Sequence, residues 1–508
     1  MEYAKIEKIY LYNFKKHKDT TIAFNPVFNI FVGDNGTGKS SVLQAIDLTL
    51  SGSISKVTTL GFDNILNADA VNNWLASPSL SSMPRLIIEL FLSGIADDVK
   101  NQRLYGEKFS NNHQKKSAYG IKLICEVNPD FLGELEKKIE SGQLATFPYD
   151  YYMVNFSTFA DFPYTKYLKP FHSVFIDNSS INAAKTIQFV IDNIYNTITD
   201  SKERISLKQK FRDHIEKFEL PKAADKNGLF ISADLEDFLD IKENGIRLQN
   251  SGQGQINVYK TQSALNRNIH ESSVFMFEEP ENHLSYKSLR FLIERIETLT
   301  AERQLFIATH SSYITSRLGL QNVFFVGDTV CSLADLPEPT SRFFQKAPND
   351  NLLQFVLSKK VLLVEGAAEY ILADEFAKKI TGNNLDELGI WVIALNNLSF
   401  ARYLELAQKL GIKVAVVRDN DGVDKEWYKE YKSQTINVFV EEDLSQKTFE
   451  ICLYERNKVI LDLQFLDKGD TLKYMLSNKA EAAFSILESC NDIVVPEYIS
   501  EAIRWLNS

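Results

Sequence analysis

The chain has 508 residues, of which 44% are hydrophobic and 24% charged, with a formal net charge of -11 and a pI of about 5.4. This composition excludes disordered, collagen-like and purely coiled-coil chains, and the length predicts two to four domains that need no disulfide staples. The acidic balance gives no global attraction for nucleic acid, so such a site requires a local basic patch or acidic residues that hold metal ions.

The opening MEYAKIEKIYLYNF alternates polar and aromatic residues and carries no signal-peptide pattern. No run reaches the ~18–20 apolar residues that a membrane span requires. Cys125, Cys331, Cys452 and Cys490 lie far apart, with no CxxC pair, which excludes a zinc finger and points to a reducing, cytoplasmic setting.

Ile6 to Phe14 and Thr21 to Phe24 alternate as two short strands would. Val27–Val32 reads as a buried strand, followed by a Gly-rich turn and a helix from about Ser40 that Gly52 ends. The turn, Gly33 to Ser40, fits G-x-x-x-x-G-K-[ST]. In that pattern Asn35, Gly36 and Gly38 offer backbone N–H groups to phosphate oxygens. Lys39 brings a mobile charge to the β- and γ-phosphates, and Ser40 and Ser41 open the helix, with the Ser40 hydroxyl directed to Mg²⁺. ATP with Mg²⁺ is therefore the expected ligand.

From Thr58 to Gln249 the signals weaken. Arg85–Leu92 and Tyr119–Val127 read as strands, Ala183–Thr197 and Lys202–Phe218 as helices, and the basic tract Asn101–Ser117 as a loop. A variable helical insertion is expected over roughly 100–245, as a candidate dimerisation element. Order returns with NSGQGQ (250–255) before a helix. The apolar strand Val274–Phe277 then ends in Glu278 and Glu279, of which one can reach the Mg²⁺ shell and the next can polarise water. His310 ends the apolar strand Gln304–Ala308, in place to sense a γ-phosphate. Pro337, Pro339 and Pro348 mark a linker, set at 346–357, between an ATPase part (1–345) and a second part (358–508).

In the second part strands and helices alternate, which predicts a parallel sheet. The strand Lys360–Val364 leads into Glu365, with Glu369 one helical turn on, and Val414–Val417 leads into Asp419 and Asp421. Strand ends of an open parallel sheet share one edge, so these carboxylates meet there, and a divalent cation is the natural relief of their repulsion. On extended backbone Asp419 and Asp421 face the same side. Oxygen donors favour Mg²⁺ or Mn²⁺.

The phosphate loop, SGQGQ, FMFEEPENHL and IATHS, in that order, resemble the ABC-type ATPases of the SMC and RecF kind. The resemblance implies ATP-dependent pairing of heads, with Ser251 and Gly252 touching the partner's nucleotide. Glu278 stands where Asp is usual, and the Gln of the Mg²⁺-sensing loop stays unassigned. VEG followed by D-x-D resembles the Toprim fold. The tandem resembles the OLD (overcoming lysogenization defect) nucleases, which include antiviral Gabija subunits and retron-associated effectors. That resemblance implies an α/β protein, with an N-terminal ABC-type P-loop ATPase and a C-terminal Toprim domain. It also implies that Val440–Leu444 matches an "LExDL" stretch, so that Glu441 (or Glu442 or Asp443) binds a second metal and Lys479 neutralises the scissile phosphate. The expected function is ATP-regulated, metal-dependent DNA endonuclease activity in antiviral defence. The expected partners are duplex DNA, further copies of the chain as a dimer or tetramer through the ATPase domains, and a neighbour-encoded helicase or retron reverse transcriptase with its DNA. The alternative is a DNA-binding ATPase whose Toprim part only docks other proteins, decided by Asp419 and Asp421. The runs Lys15, Lys16, Lys18 and Lys115, Lys116 have the size of ordinary solvated charge runs, whereas Arg418 lies beside the acids.

Overall fold

The structure, a computed structural model, describes residues 4–95, 98, 101–110, 116–144, 146–179, 201–215, 242–243, 246–247, 252–268, 272–299, 303–327, 329–332, 334, 336–346, 350–395, 399–422, 430–489 and 492–508. They fall into two compact units, Met1–Ile314 with Val326–Val330, and Thr315–Phe325 with Cys331–Ser508.

The first unit is built on two main sheets, besides a two-stranded pairing of Lys242–Glu243 with Ile246–Arg247. The antiparallel one runs β2 (His17–Ala23), β1 (Lys5–Phe14), β4 (Leu86–Ser93), β5 (Ala118–Val127), β6 (Tyr152–Thr158). One face turns inward, as Ile9 and Leu11 of β1 and Leu86, Ile88 and Leu90 of β4 show by their complete burial. The other sheet is parallel and runs β7 (His172–Asp177), β8 (Ser272–Glu278), β9 (Gln304–Ala308), β3 (Phe28–Val32). All five residues of β9 are buried, and Val274–Phe277 of β8 are fully so, as expected of parallel strands covered on both faces. After β3 the chain turns through Gly38 (φ 112) into helix α1 (Lys39–Ser51), which Gly52 ends in the left-handed conformation (φ 57).

Part of the stretch expected as an insertion is integral to these sheets, because β5 pairs with both β4 and β6, and β7 pairs with β8. Helix α2 (Ser201–Ile215) follows the helical spacing read there, whereas Ala183–Thr197 lies outside the described residues. Helix α3 (Gln253–Asn268) follows NSGQGQ, and α4 (Tyr286–Leu299) follows the acidic turn.

The second unit carries four parallel strands in the order β11 (Ile390–Ala394), β10 (Lys360–Val364), β12 (Lys413–Arg418), β13 (Ile436–Val440). The order reverses between β10 and β12, since the chain first moves to β11 and then returns past β10. A crevice opens at the carboxyl ends of strands at such a reversal. The proline tract expected as a linker instead folds into helices α5 (Glu338–Lys346) and α6 (Asp350–Leu357). Pro337 and Pro339 sit at the start of α5, where a missing N–H leaves no helical bond unmade, and the Pro337 carbonyl accepts from Thr340 N–H at 2.9 Å. Helices α7 (Ala367–Thr381), α8 (Phe400–Leu410), α9 (Phe449–Gln464), α10 (Thr471–Ser477), α11 (Lys479–Ser489) and α12 (Glu497–Asn507) complete the unit. Phe376, Phe449, Leu453, Ile486 and Ile503, from four of these helices, share one core with Leu362 and Ala415 of the sheet. Among the described residues no helix is long and apolar enough to cross a membrane.

Candidate functional site

In the first unit the parallel register sets Glu278 level with Ala308 on one side and Asp177 on the other. The acid of β8 is thereby next to the end of β9, which is in turn next to β3 and its loop. Lys39 is buried and donates to the carbonyls of Gly33 (3.0 Å) and Asp34 (2.9 Å). Burial lowers its pKa, against the fields of Glu279, Asp34, Glu278 and Glu281. A Cβ at Gly38 would come within 2.9 Å of His17 Nε2, besides demanding a left-handed φ. Asn35 and Gly36 are exposed on the turn, and Ser41 is buried in the first turn of α1.

Ser40 hydrogen-bonds the Glu278 carboxyl, whose pKa is raised by burial and by Asp177 and Glu279, in excess of what Ser40 and Lys15 lower it. Hydroxyl and carboxyl in contact below a Gly-rich loop form an oxygen set suited to Mg²⁺. Glu279 stands at φ 46, bonds Ala308 O through its N–H at 2.8 Å, and accepts from Asn282 Nδ2 at 2.5 Å. Burial and Lys39 lower the pKa of His310, against the acids Glu279, Glu281 and Asp34. Gly252 precedes α3, whose Asn257 donates to Asn282 O at 3.2 Å, so this helix packs on the acidic turn. Ser251 lies outside the described residues.

Several residues here escape sequence reasoning. The β1–β2 hairpin tip reaches the phosphate loop: His17 Nε2 is 3.3 Å from Gly38 O, Lys16 Nζ would lie 3.6 Å from a Cβ at Gly36, and Lys15 feels Glu278. Only the short spacing of two strands around NFKKH could have signalled it. At the end of β7, Asn178 is 2% exposed and its side-chain oxygen and nitrogen have no hydrogen-bond partner among the described residues, while its N–H bonds Glu278 O at 3.1 Å.

In the second unit Glu365 and Asp419 leave β10 and β12 at the crevice, and the Asp419 N–H donates to Glu365 Oε2 at 3.2 Å. Asp419 Oδ1 accepts from Phe449 N–H, at the start of α9, at 2.8 Å. Burial, then Glu369, Glu365 and Glu450, push the Asp419 carboxyl up to about 8. Glu369, in the first turn of α7 and 6% exposed, is pushed up to about 7, chiefly by burial, with Glu450 and Glu365 raising and Lys479 lowering it. Glu450 is 3% exposed and pairs with Lys479 Nζ at 3.0 Å. Burial works against the Lys479 ammonium, but Glu450, Asp419 and Glu369 outweigh it and raise its pKa. The cluster is thus Glu365, Glu369, Asp419 and Glu450, with Lys479 paired to Glu450 and influenced by Asp419 and Glu369.

Two expected members are engaged by arginines. β12 ends at Arg418 and the chain turns, with Asp421 at φ 54, so the extended-backbone argument for a shared side does not apply. Asp421 is exposed and pairs with Arg418 at 3.5 Å. Glu441 pairs with Arg456 at 2.6 Å, and Glu442 and Asp443 are exposed. Glu450 is not among the expected residues, and its one signal in the sequence is that Phe449–Leu453 repeats the E-x-x-L frame of Val440–Leu444. Among the described residues no three acidic, imidazole or thiol side chains converge closely enough to chelate an ion as they stand. The donors nonetheless fit a hard divalent cation, because they are oxygens only and the site pushes two of them towards their protonated forms.

Residues 5–126 match the "AAA ATPase domain" model, 168–316 the model "AAA domain, putative AbiEii toxin, Type IV TA system", and 356–421 that of "Overcoming lysogenization defect protein-like, TOPRIM domain". The chain joins an AAA/ABC-type ATPase to an OLD-like Toprim domain. The DNA double-strand break repair Rad50 ATPase of Pyrococcus abyssi is 48% identical over 42 residues, 8% of this chain and 5% of that protein. The DNA replication and repair protein RecF of Ruminiclostridium cellulolyticum is 47% identical over 47 residues, 9% of this chain and 13% of that protein. The matched stretches therefore span only about a twentieth to an eighth of these curated relatives. The C-terminal region of the Xanthomonas campestris OLD protein shares 22% identity, with 30% of this chain and 95% of that one covered at a TM-score of 0.23. The Thermotoga maritima SMC head shares 14%, with 65% and 99% covered at 0.31.

Proposed function

We propose that the chain is an ATP-regulated, divalent-metal-dependent DNA endonuclease of the OLD kind, acting in antiviral defence. The observation that carries the reading is the gathering of four carboxylates at the sheet's reversal point, Glu369 and Glu450 buried and Glu365 and Asp419 half-buried, with a lysine paired to one of them, on a chain that also holds a phosphate loop with its acidic strand. A divalent ion, Mg²⁺ or Mn²⁺, would supply Lewis-acid activation of water and charge for the leaving oxygen. Glu365, Asp419, Glu369 and Glu450 would hold it, and Lys479 would turn from Glu450 to neutralise the scissile phosphate. At the other site Lys39 exchanges the carbonyls of Gly33 and Asp34 for ATP phosphates, and Glu279 takes the proton of the attacking water. His310 would accompany the γ-phosphate, and Ser40 and Glu278, beside the Asp177–Asn178 strand end, would hold the Mg²⁺. Ser251 and Gly252 would complete the site of a second copy, which makes ATP binding a route to head pairing. A neighbour-encoded helicase or reverse transcriptase is the natural further partner.

Supercoiled plasmid incubated with the chain and Mg²⁺ or Mn²⁺, with and without ATP, tests the reading. Nicking that Asp419→Asn and Glu369→Gln abolish supports it, and ATP binding without cleavage under any divalent ion overturns it. The second reading, an ATPase with a docking Toprim domain, draws on the arginine pairs of Asp421 and Glu441. A biological effect that survives replacement of both Asp419 and Asp421 selects it.

A further inference from the structure

The acidic turn carries a third carboxylate, Glu281, for which the nucleotide chemistry above has no use. Its Oε1 accepts two hydrogen bonds from the end of β9, from Thr309 Oγ1 at 2.6 Å and from the His310 N–H at 2.8 Å. Its Oε2 is buried and has no hydrogen-bond partner among the described residues. Thr309 is fully buried, and its N–H bonds Phe31 O of β3 at 3.1 Å, while its Oγ1 accepts from Ser311 N–H at 2.9 Å. On the other side of the turn the Glu279 N–H bonds Ala308 O. One side chain therefore ties the turn that holds Glu279 to the backbone of His310, and through Thr309 to the strand that feeds the phosphate loop. Glu281 also acts on the charges of both Lys39 and His310.

We propose that Glu281 is a positioning residue for ATP hydrolysis, which locks Glu279 and His310 into one unit so that both meet the γ-phosphate in a fixed relation. This rests on the reading of the first unit as an ATP-hydrolysing site. Orientation of this kind contributes to the chemical step and not to retention of the nucleotide, because Lys39 and the loop N–H groups do the holding. An alanine strands the Thr309 hydroxyl and the His310 N–H, whereas a glutamine keeps an oxygen that can accept from both.

The test uses the full chain, with steady-state ATP hydrolysis and the affinity for a fluorescent ATP analogue measured in wild type, Glu281→Ala and Glu281→Gln. The expected result is a kcat about tenfold or more lower in the alanine variant, an affinity within about threefold of wild type, and recovery of most of kcat in the glutamine variant. An unchanged kcat in the alanine variant overturns the proposal, as does a loss of affinity equal to the loss of kcat. A glutamine variant as slow as alanine, yet with the melting temperature of wild type, overturns it too, since charge and not the hydrogen-bond tie would then matter. A wild-type chain that binds no ATP overturns the reading of the site itself and the proposal with it, an outcome distinct from the others.

Discussion

Replacement of Glu369 by glutamine separates what the acidic centre does to stability from what it does for chemistry. The carboxyl is 6% exposed and pushed up to about 7 from its ordinary 4.5. A carboxyl so shifted keeps its proton in the folded state over a range of pH in which the unfolded chain has lost it. Its stability is full below pH 4.5 and falls as pH rises through 7, by about 3 kcal/mol once both states are ionised. Glutamine has the same shape and no charge to desolvate, so Glu369→Gln is expected to match wild type at pH 5 and exceed it at pH 8. For a unit of this size the gain corresponds to roughly 5–10 °C in melting temperature, less whatever Asp419 recovers by ionising. Mn²⁺ at pH 8 is expected to raise the wild-type transition and to act more weakly on the variant. Melting followed by circular dichroism at pH 5, 6, 7 and 8, in chelator and in Mn²⁺, provides the measurement. A variant no more stable than wild type at pH 8 would refute the claim that burial and like charge strain this carboxyl.

Lys39→Ala is expected to weaken ATP binding about 10- to 100-fold, the worth of a charge-assisted contact, in a fluorescence anisotropy titration; unchanged affinity would place the phosphates elsewhere. Glu450→Gln is expected to lower metal-dependent plasmid nicking about 100-fold or more and Glu441→Gln about threefold or less, and the opposite ranking would return the second metal to Glu441. Asn420→Ala removes bonds to Glu441 O (2.9 Å), Asp443 O (3.0 Å) and Gly422 N–H (2.8 Å) from a residue 4% exposed. It is expected to cost about 1–3 kcal/mol in urea unfolding, and a neutral result would show that water replaces the side chain.

What is legible in the sequence is what local pattern controls. A strand, a Gly-rich turn and a helix in register place Lys39 and Ser40, and parallel strand ends place Glu278, Glu365 and Asp419, because these consequences extend only a few residues. The hairpin tip Lys15–His17 reads as solvated charge until the pairing of β1 with β4 carries it over the phosphate loop. Asp421 shows the limit of a period-two argument, since the strand stops at Arg418 and the left-handed φ after it redirects the side chain. Between Glu441 and Glu450 the sequence offers two similar frames. The choice depends on where α9 begins: the Phe449 N–H meets Asp419 there, and the next residue is carried into the crevice. The proline tract misleads for the reverse reason, as prolines that break a helix interior are compatible with its first turn.

The two sites follow one physical scheme. Each sets carboxylates just beyond parallel strand ends and a lysine at the first position of a helix, Lys39 on α1 and Lys479 on α11. Each lysine is satisfied internally, by the carbonyls of Gly33 and Asp34 in one case and by Glu450 in the other. A phosphate ligand that draws either lysine away from these partners loses a hydrogen bond that already exists, and its affinity then reflects the difference between the two. At the phosphate loop the displaced acceptors are neutral carbonyls, so an anionic phosphate wins readily. At the acidic centre the displaced acceptor is a buried carboxylate, and freeing it would leave Glu450 charged and unpaired beside Glu369 and Asp419. On the proposed function, Lys479 would turn from Glu450 to a DNA phosphate most readily when another cation took over Glu450, so metal binding and DNA engagement at this centre would be cooperative. DNA affinity measured with and without Mn²⁺ should accordingly differ in wild type, and the difference should vanish in Lys479→Met. An equal Mn²⁺ effect in both would show that Lys479 stays with Glu450 throughout.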